Sequence, residues 1–166
     1  MTSAAELREV LASVHDPEIP VITIEDLGIL RDVRLEGDRV VVTITPTYSG
    51  CPAMQVIADS VSAALNAHGI EDVRIESRLS PAWTTDWMSA AGKAALKGYG
   101  IAPPVQQAID ISGLHAGIRR RAAPDVACPH CSSPHTQLTS EFGSTPCKAL
   151  YKCLDCREPF DYFKCH

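Results

Sequence analysis

Apolar and polar residues recur along the first hundred positions with two periods, one helical and one of two residues. After the capping box Ser3-x-x-Glu6, apolar residues recur at the spacing of one helical face, which predicts a helix. Two alternating stretches around the turn Glu36-Gly37-Asp38 predict a β-hairpin. The predicted elements, in chain order, are a helix over 4–14, strands over 29–35 and 39–45, a helix opening at Pro52 and ending by Gly69, a strand over 71–79 and a helix over 86–97, which Thr85 can cap.

Prolines and glycines mark the irregular segments and the boundaries between domains. Segment 16–20 (DPEIP) is expected to be stiff and extended, because a residue that precedes proline is disfavoured in a helix. Pro103 and Pro104 end the helical region, and a candidate edge strand over 105–111 follows them. We therefore predict an α+β chain with a small α/β domain over 1–104, a linker over 105–123 and a second module over 124–166.

Four cysteines of the second module form two C-x-x-C pairs. Cys128 and Cys131 make up the first pair, Cys153 and Cys156 the second, and twenty-one residues separate the pairs. Each pair forms a tight turn that directs two thiolates to one point, and two such turns complete the tetrahedral four-sulfur site that zinc prefers. We therefore predict a zinc ribbon over 124–166, with a closed coordination sphere that makes the metal structural.

The sequence leaves the identity of the metal and the number of sites open. Iron accepts four thiolates as zinc does. Cys147, Cys165 and the C-terminal His166 are candidates for an additional metal site, and the alternative is that these cysteines do not bind metal. A thioredoxin-type redox pair needs only one C-x-x-C in a β-α-β context, so it leaves the second pair unexplained.

Cys51 is a separate candidate, because it stands between a predicted strand and a helix that opens with Pro52. The partial positive charge of a helix N-terminus can lower the pKa of a thiol, which produces a reactive or metal-accepting cysteine. The alternative is a cysteine that packs as a small apolar residue. Asp16 and Glu18 lie in an irregular segment, and the sequence leaves open whether they face Cys51 or solvent.

Charge is distributed unevenly along the chain, which has a formal net charge of -5. Residues 1–118 hold eight Lys or Arg and fifteen Asp or Glu, and an arginine run at 119–121 follows. An acidic main domain argues against a nucleic-acid partner. Because neither a signal peptide nor an apolar stretch of membrane-spanning length is recognisable, we expect a cytoplasmic protein without a membrane partner.

Several segments resemble known families. HDPEIP at 15–20, IEDLGILRDV at 24–33 and GCP at 50–52 are similar to the small α/β domain shared by iron-sulfur cluster assembly factors. Further segments extend the resemblance over nearly the whole chain to the PaaD family, the accessory subunits of the bacterial phenylacetyl-CoA epoxidase. These segments are WTTDW at 83–87, YGIAPP at 99–104, FGSTPCKAL at 142–150 and EPFDYFK at 158–164.

The resemblance implies a maturation role beside a multicomponent oxygenase of phenylacetate breakdown, whose other subunits carry the di-iron centre and an iron-sulfur and flavin reductase. It implies no catalytic residue in this chain. Cys51 would be the cluster-handling thiol, Asp16 and Glu18 its acidic neighbours, and the four paired cysteines the ribbon ligands. The implied cofactors are zinc or iron in the ribbon and a transient iron-sulfur cluster.

The implied partners are the other epoxidase subunits, the reductase above all. Stable holding of a cluster needs four ligands and Cys51 supplies one, so either a homodimer or a partner must supply the rest. Two other classes of function compete with maturation. One is a non-catalytic docking or scaffold subunit of the oxygenase, in which Cys51 only packs. The other is a nucleic-acid-binding ribbon regulator, which the arginine run alone favours and the acidic main domain disfavours.

Overall fold

The computed structural model describes residues 3–105 and 124–164, which fall into two compact units. The first unit ends at Tyr99 and the second begins at Gly100. No helix within these described ranges is both long enough and apolar enough to span a membrane. The helices are α1 (Ala4–Leu11), α2 (Met54–Ala67) and α3 (Ala90–Tyr99), and the strands are β1 (Leu30–Glu36), β2 (Arg39–Ile44), β3 (Val73–Ser77), β4 (Ile101–Ala102), β5 (Thr136–Ser140), β6 (Lys148–Cys153) and β7 (Pro159–Phe163).

The first unit is built on a three-stranded sheet with the order β1-β2-β3. The predicted hairpin is confirmed, since β1 and β2 pair antiparallel and Gly37 supplies a positive φ of 66° in the turn between them. Strand β3 returns parallel to β2 after helix α2. Helix α1 contacts β1, α2 contacts β3, and the two helices contact each other. Their buried apolar residues form the core of this unit: Leu7, Leu11, Ile57, Val61 and Leu65.

The central strand β2 is buried on both of its faces. Alternation predicted only Val40, Val42 and Ile44 on the core side, but Val41 and Thr43 are buried as well. On the second face the Arg34 guanidinium reaches across the sheet, 3.3 Å from Thr43 Oγ1 and 3.1 Å from Glu76 Oε2. Charged side chains of the neighbouring strands β1 and β3 therefore cover the face of β2 that an alternating pattern would leave exposed to solvent.

The irregular segment between α1 and β1 is held by backbone and side-chain hydrogen bonds. Asp16 is buried, and its Oδ1 accepts from the amides of Glu18 and Ile19, each at 2.8 Å. The amide of Asp16 also donates to the Ile22 carbonyl at 2.9 Å. The predicted stiff connection thus has a specific cause, because a short carboxylate that accepts from amides two and three residues ahead closes a turn.

The start of helix α3 differs from the prediction. A short 3-10 helix over Thr85–Trp87 comes first, and α3 itself runs to Tyr99. The Ser89 hydroxyl accepts from the Gly92 amide at 2.8 Å and donates to Asp26 Oδ1 at 2.5 Å. A hydroxyl that accepts from an amide three residues ahead opens a helix, so Ser89 has the role expected of Thr85.

The second unit contains a four-stranded sheet with the order β4-β7-β6-β5. The long hairpin of β5 and β6 is antiparallel, and β7 returns antiparallel to β6. Ile101 and Ala102 add a short parallel strand to β7 and are buried. The sequence placed these two apolar residues at the end of the first domain, whereas their pairing puts them in the second unit. The candidate edge strand from residue 106 onward and the arginine run at 119–121 lie outside the described residues.

Candidate metal centre and the Cys51 loop

Two similar turns carry the four paired cysteines in the second unit. The turn at 128–131 precedes β5, and the turn at 153–156 joins β6 to β7. The residue directly after each second cysteine has a left-handed backbone, with φ of 61° at Ser132 and 68° at Arg157. Such a conformation is uncommon outside glycine, and its occurrence at equivalent positions marks two copies of one turn.

The four sulfur atoms converge on one point. Cys128 Sγ lies 3.8 Å from Cys156 Sγ, and Cys131 Sγ lies 3.6 Å from Cys153 Sγ. All four sulfurs lie within 4.8 Å of one another. A tetrahedron with zinc-sulfur bonds of about 2.3 Å has edges of about 3.8 Å, so the cage has the size of a four-thiolate metal site.

Backbone amides point at the sulfurs and change their acidity. Burial raises the pKa of the Cys153 thiol, but the amides of Cys156 and Asp155 donate to it and lower that pKa to about 6. The Glu158 amide lowers the pKa of Cys156, whereas burial and the three neighbouring cysteines raise it to about 12. The Cys153 and Cys156 thiols therefore do not ionise independently, and a divalent cation between them would favour the thiolate form of both.

Polar contacts outside the sulfur cage join the two turns. Asp155 of the second turn accepts from the Ser133 hydroxyl at 2.5 Å and lies 3.1 Å from His135 Nδ1. The Leu154 amide donates to the His135 carbonyl at 2.8 Å. Sequence reasoning missed these contacts, although the positions of the three residues beside the cysteines were a usable signal. They fix the distance between the turns independently of the metal.

Gly100 contacts the first turn. Its φ is 92°, and a Cβ atom at this position would lie 3.0 Å from Cε1 of the His130 ring. Glycine therefore serves twice here, since it permits the left-handed backbone and leaves room for the ring. This contact was also missed, because Gly100 precedes His130 by thirty positions.

The structure tests only part of the additional metal site that the sequence left open. Cys147 is buried, and its sulfur lies 3.0 Å from the Thr145 hydroxyl. Within the described ranges the metal-ligand cluster consists of the four paired cysteines and does not include Cys147. Cys165 and His166 lie outside the described residues.

Cys51 lies in the first unit, in the loop between β2 and α2. It is half-buried, and its amide donates to the Tyr48 carbonyl at 3.2 Å. Helix α2 begins at Met54, so Pro52 precedes the helix instead of opening it. No side chain caps α2 at Ala53. Cys51 therefore lies on an ordered turn three residues before the first helical residue, and not next to it as predicted.

The two acidic residues of segment 16–20 have different environments. Asp16 is buried and uses Oδ1 to hold its own segment, while Glu18 is half-buried. The role of Asp16 in closing the turn was not foreseen from the sequence. Its acceptance from two amides gives this carboxylate a structural function whatever else it contacts.

Comparisons with known proteins match both units. The family model described as the PaaD zinc beta ribbon domain matches residues 115–164, and the model of the iron-sulfur cluster assembly protein family matches residues 4–77. The second match includes Cys51, Asp16 and Glu18, and the first includes all four cysteines of the cage. The two-domain interpretation of the sequence thus agrees with two separate families.

Similar proteins extend this result to the whole chain. The chain is 48% identical, over 96% of its length, to an Escherichia coli K12 protein named as one of the subunits of a "Putative 1,2-phenylacetyl-CoA epoxidase", and covers 92% of it. It is 36% identical, over 51% of its length, to a Porphyromonas gingivalis protein named "Fe-S protein maturation auxiliary factor", and covers 81% of it. A crystal structure of a domain of unknown function (DUF59) from Bacillus anthracis has a TM-score of 0.52 and 30% identity, covering 56% of this chain and 90% of that one.

Proposed function

Because the chain belongs to the PaaD family of phenylacetyl-CoA epoxidase subunits, we propose that it is an accessory maturation factor of that multicomponent epoxidase and does not itself catalyse the epoxidation. An iron-sulfur cluster is the cargo, and the reductase component of the epoxidase is the recipient. Assembly of the metal centre in the oxygenase is the less favoured form of the same role. A relative over half of the chain, named as an Fe-S protein maturation auxiliary factor, supports this proposal.

The position of Cys51 is the observation that carries the proposal. It is the only cysteine among residues 1–127, and it lies within the segment that matches iron-sulfur cluster assembly proteins. Cys51 is only half-buried and lies three residues before the start of α2, whose N-terminus no side chain at Ala53 caps. A partly accessible thiol near the positive end of a helix is suited to such a role. We assign Cys51 the role of cluster-handling thiol.

A single thiol cannot hold a cluster alone. Four ligands hold a stable cluster, so the others must come from a second copy of the chain, from the recipient or from a small thiol. A transient homodimer or a transient complex with the reductase follows from this count. Asp16 and Glu18 have a supporting role, in which Asp16 keeps its own segment in one conformation and Glu18 contributes an acidic side chain.

The ribbon metal has a different role in the proposal. We assign it as zinc, held by Cys128, Cys131, Cys153 and Cys156, where it would stabilise the second unit. Four thiolates close the coordination sphere, so this metal would activate no water. The two units therefore have separate tasks: the second holds a permanent structural metal, and the first binds an iron-sulfur cluster transiently. We place both in the cytoplasm, where thiols stay reduced.

The test is maturation of the reductase in cells that produce the epoxidase with Cys51→Ser as the only source of this chain. The proposal predicts reductase purified with little iron and sulfide, and loss of epoxidase activity. The matched control is Ser49→Ala, an exposed neighbour in the same loop that carries no sulfur. The proposal is wrong if the Cys51→Ser cells contain reductase with a full cluster.

A docking or scaffold subunit is the second candidate function. The name of the similar Escherichia coli protein, which describes a subunit of the epoxidase, favours it. In that case Cys51 only packs, and the chain stays in a stable stoichiometric complex. Size-exclusion chromatography of the purified epoxidase distinguishes the two, because a maturation factor leaves the complex and a scaffold remains in it.

A further inference from the structure

Strand β3 forms one edge of the sheet in the first unit, and it is a regular edge. The other edge of that sheet, β1, has an irregular register between Leu30 and Asp32. In the second unit, β5 is irregular between Leu138 and Ser140, and β4 has only two residues. Short or irregular edge strands pair poorly with other chains. Strand β3, all of which lies in the described part of the chain, pairs with β2 over five residues without a shift in register.

The hydrogen bonds of β3 show which of its backbone groups face outward. The Asp72 carbonyl accepts from the Val40 amide, and the Arg78 amide donates to the Ile44 carbonyl, each at 2.9 Å. Successive residues of a strand turn their N–H and C=O groups to opposite sides, so the even-numbered residues over 72–78 face β2. The odd-numbered residues turn both groups away from the sheet: Val73, Ile75 and Ser77. Among the described residues, no strand pairs with these outward groups.

Charged side chains of alternating sign occupy the even-numbered positions. They share one face of the strand: Asp72, Arg74, Glu76 and Arg78. The side chains of Asp72, Arg74 and Arg78 are 55%, 58% and 56% exposed. Glu76 Oε2 accepts from Arg78 at 3.1 Å, but Glu76 Oε1 has a longer contact of 3.5 Å with Arg74. These side chains can therefore turn to partners beyond the edge of the sheet.

An antiparallel pair of two such strands has one favourable register, in which Ile75 lies opposite Ile75 of the second copy. Arg74 then faces Glu76 of the second copy, and Asp72 faces its Arg78, and two-fold symmetry repeats both pairs. Sliding one strand by two residues in either direction places arginine opposite arginine and acid opposite acid. Like charges directly opposite each other destabilise a sheet, so both of these registers are disfavoured.

The backbone selects the same register. Residues that exchange hydrogen bonds across an antiparallel pair must both face outward. With Ile75 at the centre, the hydrogen-bonded pairs are Ile75 with Ile75, and Val73 with Ser77 of the second copy. The charged residues then form the pairs without hydrogen bonds, where opposite side chains approach most closely. Backbone and side chains thus agree on one self-complementary arrangement.

We propose that β3 pairs antiparallel with β3 of a second copy of this chain, centred on Ile75, so that two three-stranded sheets join into one. The contact covers Val73 and Ile75, which are half-buried in a single copy. Five strand residues a side bury less than the about 800 Å² per partner of a standard interface, so the dimer is weak and forms at high concentration.

The arrangement also places the two Cys51 loops. Each loop follows the end of β2 at Ile44, which lies beside Ser77 of β3. Antiparallel pairing puts the two Ser77 ends, and with them the two loops, at opposite ends of the joined sheet. If Cys51 handles a cluster, as the proposed function has it, the two thiols do not meet in one cluster, and the other ligands come from the recipient or a small thiol.

The test measures the oligomeric state of the purified full chain, with its metal bound, by sedimentation velocity at rising protein concentration and low ionic strength. We expect a monomer–dimer equilibrium. Arg78→Glu places acidic side chains opposite each other in both symmetric pairs, and Asp72→Arg places basic ones there, so each is expected to weaken the dimer at least about tenfold. The control is Lys97→Glu, the same change of charge at the exposed end of α3, which should change the dimer constant less than about twofold.

An equimolar mixture of the two variants separates contact from misfolding. Arg78→Glu in one chain then meets Asp72→Arg in the other, and the unchanged Asp72 meets the unchanged Arg78, so the mixture is expected to dimerise as the wild type does. Both altered side chains are more than half exposed, so the circular dichroism of each variant should match the wild type.

Three results would overturn the proposal. One is a wild-type chain that stays monomeric up to about 1 mM. The second is a dimer that both charge reversals leave intact, because another surface would then form it. The third is a mixture that stays monomeric. Cys51→Ser is expected to dimerise as the wild type does, so failure of the dimer and failure of the maturation role are distinguishable.

Discussion

Gly28 and Gly37 form a matched pair for testing the packing of the first unit. Both have a left-handed backbone, with φ of 77° and 66°. A Cβ atom on Gly28 would lie 2.7 Å from both Cβ and the carbonyl oxygen of Trp87, whereas one on Gly37 meets nothing within 4 Å. The variants Gly28→Ala and Gly37→Ala therefore have a similar backbone cost, and only Gly28→Ala adds a steric clash, with Trp87.

The magnitudes follow from these two costs. A left-handed alanine is disfavoured by about 1–2 kcal/mol, partly offset by the lower entropy of the unfolded chain, so Gly37→Ala should cost about 1 kcal/mol. Forcing a methyl group against Trp87 adds about 1–3 kcal/mol of overpacking, so Gly28→Ala should cost about 2–4 kcal/mol. It should also displace the Trp87 ring from Arg31, whose guanidinium carbon lies 3.5 Å from the ring centroid.

Urea unfolding followed by tryptophan fluorescence measures this difference. Both tryptophans, Trp83 and Trp87, lie in the first unit, so the signal reports on that unit alone. We expect a lower midpoint for Gly28→Ala than for Gly37→Ala at an unchanged slope. Equal midpoints for the two variants would refute the close contact between Gly28 and Trp87.

Two further predictions concern the second unit. Chelation of the metal, or Cys128→Ser, should release about one metal ion and unfold this unit while the tryptophan signal of the first unit persists, because small ribbons fold with their metal; a second unit that keeps its circular dichroism without metal would contradict this. Lys148 Nζ lies 3.2 Å from Asp161 Oδ2, with side chains 7% and 24% exposed, so Lys148→Met leaves the Asp161 carboxylate without its cation and should cost about 2–3 kcal/mol, less than the loss from a fully buried pair. Adding Asp161→Asn should recover most of that loss, and no recovery would show that Lys148 stabilises by packing.

Local sequence rules predicted the elements of the first unit well. The capping box at Ser3 and Glu6 is present with both of its hydrogen bonds, and the hairpin has the predicted pairing. The capping box is decided by two residues three positions apart, and the hairpin is decided by the short turn between its strands. Spacing of the same kind predicted the convergence of the four cysteines, since each C-x-x-C turn is local and the long hairpin brings the turns together.

Contacts between distant residues account for the errors. Ser89, not Thr85, opens the last helix of the first unit because its hydroxyl meets Asp26, sixty-three positions away. Ile101 and Ala102 join the second sheet because β7 offers them a partner, which the sequence around them does not reveal. The turn that Asp16 closes was also not foreseen, although its hydrogen bonds join residues only two and three positions apart. The placement of Asp16 beside Cys51 stays a prediction.

Cluster handling by Cys51 is the central claim, and metal and sulfide analysis under anaerobic conditions tests it most directly. Wild type and Cys51→Ser are compared before and after cluster reconstitution, with a visible absorption spectrum of each. The account predicts iron, sulfide and visible absorption in the wild type that depend on Cys51, above about one equivalent of ribbon zinc that both proteins share. Zinc alone in both proteins, with no uptake of iron, would contradict it and favour the docking role.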